Sequence, residues 1–166
     1  SVGGRIANHL GKNHSVVFTN ASVNGSKMHN LIERKVPNEK QDLAVLIISS
    51  NEVIRFTKFS DLELDTRKVL ERFSQLAKKV ILIGPANVGK ARFLPLGLRA
   101  AYLLRGPRYV KILKEVSSNF SNVIYIDSIN PAKELGKYKR EYYSSDTLHP
   151  NDQGHQYRNK MIKPYL

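Results

Sequence analysis

Two stretches of the chain carry residue types whose spacing could do chemistry. In "SSDTLHPND", residues 144–152, Asp146 stands three positions ahead of His149. In a short loop such a carboxylate can meet imidazole Nδ1, which fixes the tautomer and leaves Nε2 as a general base. Asp-x-x-His is nevertheless a short pattern, and a surface loop with an uninvolved histidine spells the same letters. The second stretch, "KKVILIGPANVGKAR" at 78–92, puts Gly84 and Gly89-Lys90 after an apolar run, most of a phosphate-binding loop. Magnesium-nucleotide chemistry also needs a hydroxyl after the lysine, and Ala91 stands there instead. A helix should open at the lysine to face the phosphates, but Pro95 and Gly97 delay one. The run is moreover the third of its kind along the chain, whereas such loops follow the first strand. A Gly-Pro turn leaving a buried strand explains the motif without phosphate. Asp127, at the end of "NVIYID", then reads as an ordinary strand-end residue.

Two further segments strengthen the Asp146–His149 reading. "NASVNGSK" places Gly25 where a backbone N–H can approach a ligand, and "IISSNEV" places Asn51 at the end of a strand-like run. Parallel α/β sheets bind ligands at the carboxyl ends of their strands. Backbone and amide donors at neighbouring strand ends are what an oxyanion hole requires.

The elements that must position these residues follow from hydrophobic spacing. Valine- and isoleucine-rich runs at 14–20, 42–50, 78–84 and 122–127 predict strands, three of them apolar on both faces. Helical patterns lie between them: residues 3–10, 25–36, 60–79, 96–105, 108–120 and 151–162. Ser60 and Glu63 suggest a capping box, and Gly106-Pro107 suggests a break between two helices. Helix–strand alternation at this spacing predicts a single α/β domain over 1–166, with a parallel sheet, right-handed crossovers and helices on both faces. The chain opens with a helix, so the first strand of an α/β unit is missing from it.

Composition narrows the chemistry. The 166 residues are 41% hydrophobic and 25% charged, with no 18-residue apolar stretch to span a membrane. No signal peptide is visible at the start, which leaves the compartment open. Cysteine is absent, which removes disulfides, thiolate nucleophiles and cysteine–zinc sites. Twenty-seven basic against fourteen acidic residues give a net charge of +13, but the bases are scattered, so a solvated surface is expected and no nucleic-acid partner. His9, His14, His29 and His155 lack metal-ligand spacing, and neither metal nor cofactor is implied.

Taken in order, "NASVNG", "SSNEV" and "SDTLHPN" resemble blocks of the SGNH (GDSL-type) hydrolase family of esterases and lipases. The resemblance covers essentially the whole chain, and "LIGPANVG" is similar to the family's strand and turn after its third block. It implies a three-layer α/β/α sandwich with a flavodoxin-like sheet. It further implies that the Gly25 N–H and the Asn51 amide form the oxyanion hole, that Asp146 orients His149, and that His149 deprotonates a serine. Ser49 replaces a glycine of the third block. The first block, Gly-Asp-Ser, which carries the nucleophile, is absent. Ser1 falls too late for that role, Asp127-Ser128 follows the last strand, and Ser22, Ser49, Ser50, Ser144 and Ser145 lack a nucleophile turn. In the strand order 2-1-3-4-5 the missing strand is interior, between those leading to Gly25 and Asn51. The expectation is therefore an esterase acting on a small-molecule ester, completed by an N-terminal strand peptide with Gly-Asp-Ser about fifteen residues before Ser1. The alternatives are an inactive SGNH-like binding module and, less favoured, a nucleotide hydrolase.

Overall fold

A computed structural model describes residues 2–48, 50–85, 95–128, 140–142, 144–145 and 149–166. Three strands form its sheet: β1 (Gln41–Ile47), β2 (Ala77–Ile83) and β3 (Val123–Ile126), in that spatial order and all parallel. Val45 pairs with Ile81, and Ile81 with Ile124, so the register runs straight across the sheet. Side chains alternate between faces along each strand. Ala44, Leu46, Val80, Leu82, Val123 and Tyr125 meet one core, whereas Leu43, Val45, Ile81, Ile83, Ile124 and Ile126 meet a second. Continuous apolar strands of this type need helices on both faces.

The helices supply both covers. The first face packs against α4 (Phe59–Leu76) and α5 (Leu96–Ser117), joined by the short α2 (His29–Ile32) and α3 (Asn51–Ile54). In α4 the buried side chains are Leu62, Thr66, Val69, Leu70 and Phe73, one helical stripe. The second face is covered by α1 (Val2–Leu10) and α6 (Asp152–Ile162), through Val2, Ile6, Tyr157, Met161 and Ile162. The result is the expected mixed α/β sandwich around a parallel sheet, of three strands among the described residues.

Several local expectations are corrected. Residues 14–20 form no strand: Val17 is 95% exposed and Phe18 48%. In a flavodoxin-like sheet that segment pairs with the missing strand, so its β propensity finds no ladder to join. The helix expected over 25–36 shrinks to His29–Ile32. Its start is held off by the left-handed Gly25 and by a loop fixed to α3. The capping box does not form, because Lys58 occupies the N-cap and Ser60 lies inside α4, its hydroxyl donating to Asp61. Nor does Pro107 break α5. Proline removes one N–H and clashes with a carbonyl in a helix interior, at about 3 kcal/mol. Here Pro107 and Leu103 both face solvent, while Tyr102, Tyr109 and Leu113 bury on either side of the proline and keep the stripe continuous. Gly89 and Lys90 lie outside the described residues.

Replacing the fully buried Leu113 with alanine is expected to lower stability by about 2–5 kcal/mol. Leu104→Ala on the same helix, where Leu104 is 80% exposed, should change it by less than about 0.5 kcal/mol. Urea denaturation of the two variants compares them directly, and equal midpoints would contradict the packing described.

Candidate functional site

Gly25 ends the turn after Asn24 with a φ of 76°, left-handed backbone that a side chain rarely adopts. The Ser26 N–H donates to the Val23 carbonyl at 3.3 Å, closing that turn. Beyond the carboxyl end of β1, Asn51 opens α3, and its Nδ2 donates to the Ser26 carbonyl at 3.1 Å. One hydrogen bond thus places the amide of Asn51 directly against the loop of Gly25.

Further contacts fix the same loop. Met28 is 1% exposed, and its N–H donates to Glu52 Oε1 at 2.5 Å. An Arg34 guanidinium N–H donates to Ser26 Oγ at 3.0 Å, and Lys27 Nζ to Thr57 Oγ1 at 3.1 Å. The far end of α3 is set as firmly. Phe56 takes a φ of 49°, a conformation costing a bulky residue on the order of 1–3 kcal/mol. Its ring is held 5.2 Å from that of Tyr102 and under the Arg105 guanidinium at 5.3 Å. Arg105 and Tyr109 both donate to the Thr57 carbonyl, at 3.0 and 2.5 Å. A four-residue helix has no stability of its own. These contacts supply it, and so hold Asn51.

His149 lies on an exposed loop just before α6. Its carbonyl accepts from the Ser144 N–H at 2.8 Å, and the Asn151 N–H donates to Tyr142 at 3.0 Å. Asn151 also caps α6, its side-chain oxygen accepting from the Gly154 N–H at 3.1 Å while its amide donates to Glu141. A Cβ on Gly154 would lie 2.2 Å from the Tyr142 carbonyl, so only glycine lets α6 approach this segment. The rings of Tyr142 and Tyr157 stack at 5.2 Å. Asp146 lies outside the described residues, as does Ser49. Of the four residues singled out in sequence, the structure therefore joins Gly25 and Asn51, and seats His149 on a separately braced loop.

Sequence reasoning missed the roles of Glu52 and Arg34. For Glu52 a signal was present: it stands directly after Asn51 in "SSNEV", where the resembled block carries an acidic residue. Among the described residues, no group of three or more His, Asp or Glu side chains is placed to hold a metal ion, and no helix is long and apolar enough to cross a membrane.

Comparison with known proteins adds to this geometry. The sequence profile of the GDSL-like lipase/acylhydrolase family matches residues 1–157. An acetyl xylan esterase from Geobacillus stearothermophilus superposes with a TM-score of 0.72 at 18% identity, over 98% of this chain and 78% of that one. A putative platelet activating factor from Streptococcus pneumonia does so with a TM-score of 0.73 at 17% identity, over 96% and 76%. A lipase/acylhydrolase from Enterococcus faecalis gives 0.56 at 19% identity, over 85% and 70%. No curated protein sequence matches significantly.

The α6 loop also carries an ionic tie. Arg5 of α1 donates to Asp152 at the start of α6. That hydrogen bond, and then the arginine charge, hold the Asp152 carboxyl below its ordinary range. A depressed carboxyl stabilises the fold above its unfolded value, about pH 4, and the contribution is lost as pH falls through the folded value. Thermal midpoints of the parent should therefore exceed those of Arg5→Gln at pH 6 and converge with them in acid. A gap that persists at low pH would show that the pair does not act through Asp152.

Proposed function

This chain belongs to the GDSL-like lipase/acylhydrolase family, and from that premise we propose that it is the greater part of a serine-type hydrolase of carboxylic esters. The observation that carries the reading is the bond between Asn51 Nδ2 and Ser26, which sets a side-chain amide beside the left-handed Gly25 at the sheet's carboxyl edge. Those two donors stabilise the oxyanion of a tetrahedral intermediate. His149, oriented by Asp146, takes the proton of the attacking serine and returns it to the leaving alcohol. The substrate is a small-molecule ester.

The serine comes from a strand completing the sheet. Among the described residues β1 pairs with β2 alone, which leaves the N–H and C=O groups of its other edge without a strand partner there. Ile47 is 39% exposed, and the apolar Val16, Val17 and Phe18 are exposed in a segment that forms no strand. An unpaired edge of this length and character is a template for another strand. A peptide bearing Gly-Asp-Ser, covalently upstream or retained noncovalently, fits between β1 and that segment. Denaturing mass spectrometry of a purified, folded sample should reveal such a peptide, joined to or co-purified with residues 1–166; a folded chain without one would defeat the idea.

In the form that carries the serine, hydrolysis of p-nitrophenyl acetate is expected. Asn51→Ala should lower kcat by about 10²–10³-fold. His149→Ala should lower it by roughly 10³-fold or more. Turnover that survives His149→Ala would refute its assignment as the base. The absence of any turnover in the parent would instead favour a binding protein of the same family.

A further inference from the structure

Glu52 is 2% exposed, in surroundings supplied by Met28 and Val53. Burying a carboxylate is costly unless its oxygens are well paired. Only half of that condition is met. Oε1 accepts from the Met28 N–H at 2.5 Å, while Oε2 is buried without a hydrogen-bond partner among the described residues. If the position served packing alone, an apolar side chain of similar size would stabilise the fold at least as well. The carboxylate therefore has a local purpose, and its hydrogen bond from the Met28 N–H identifies it.

We propose that Glu52 is a positioning residue that holds the oxyanion donors in register, an assignment that rests on the ester-hydrolase reading. Asn51 and Glu52 are consecutive, and they grip the loop at two points: Asn51 at the Ser26 carbonyl, Glu52 at the Met28 N–H. With both ends held, the peptide units between them cannot rotate without breaking a bond. The left-handed Gly25 immediately before them has no side chain to restrain it. The α3 end of the clamp is itself tied down, because the Thr57 N–H donates to the Glu52 carbonyl at 3.0 Å. Donors that stabilise a developing charge must be held to about 0.5 Å and 10–20° of the productive geometry. A charge-assisted bond to the backbone is a strong way to do that.

The full-length protein tests this with three variants, assayed on p-nitrophenyl acetate and by amide hydrogen exchange. Glu52→Gln keeps an acceptor for the Met28 N–H and should retain kcat within about threefold. Glu52→Ala removes the acceptor and should lower kcat about 10–100-fold with KM within about threefold. Exchange at Gly25–Met28 should quicken in the alanine variant and not in the glutamine variant. Should the alanine variant fail to fold, Glu52→Asp, one methylene short of the Met28 amide, is expected to show the same loss of kcat at unchanged KM. Parental kcat in the alanine or aspartate variant would overturn the proposal, as would a loss in the glutamine variant as deep as in alanine. If the parent hydrolyses no ester, the activity reading falls while exchange still decides the clamp: unchanged protection at Gly25–Met28 in the alanine or aspartate variant overturns it.

Discussion

The parallel ladder from β1 through β2 to β3 is the constraint on which the rest of the molecule depends. Val80, Ile81 and Leu82 are fully buried at its centre, and their alternation assigns each flanking helix to a face. Because β1 and β2 leave the sheet at the same edge, the segments that follow them are delivered to one rim. A one-residue slip would exchange the two faces of β1 and turn its side chains away from both cores. Register and rim are therefore one decision.

At that rim the chain invests in rigidity where local propensity offers none. α2 and α3 have four residues each, too short to stand alone. They are held by side chains from elsewhere: Arg72 donates to the carbonyls of Leu31, Ile32 and Arg34, and Arg105 and Tyr109 to that of Thr57. The guanidinium of Arg105 also lies over Phe59 at 4.4 Å. Such partners satisfy carbonyls that short helices leave exposed. They also explain how Phe56 persists in a backbone conformation that its bulk disfavours, between Tyr102 and Arg105.

The opposite face is braced differently. α1 and α6 meet through apolar side chains and the Arg5–Asp152 pair, and Gly154 lets α6 approach the Tyr142 segment closely. The loop of His149 is tied to the segment before it by backbone bonds, so its path depends on α6 docking rather than on the rim of β1. In the proposed enzyme, base and oxyanion donors reach the substrate from two independently supported parts of one sandwich. The peptide that completes the sheet would lie against the exposed edge of β1.

Much of this was legible in the sequence. The runs at 42–50, 78–84 and 122–127 became the three strands, because apolar residues on both faces have no other compact solution in an α/β chain. The order and spacing of their blocks also singled out Gly25 and Asn51, whose segments the structure joins through the Ser26 carbonyl. Residues 14–20 were misleading: their β propensity is real, but a strand exists only where a neighbour accepts its hydrogen bonds. Pro107 misled in the other direction, since burial of Tyr102, Tyr109 and Leu113 outweighs a local breaker. The sequence by itself thus determined the three buried strands of the sheet, since continuous apolar runs follow from residue type and spacing. Only the tertiary structure decided that Asn51 would grip Ser26 and Glu52 the Met28 amide, because those bonds join positions some twenty-five residues apart through a fold no local pattern encodes.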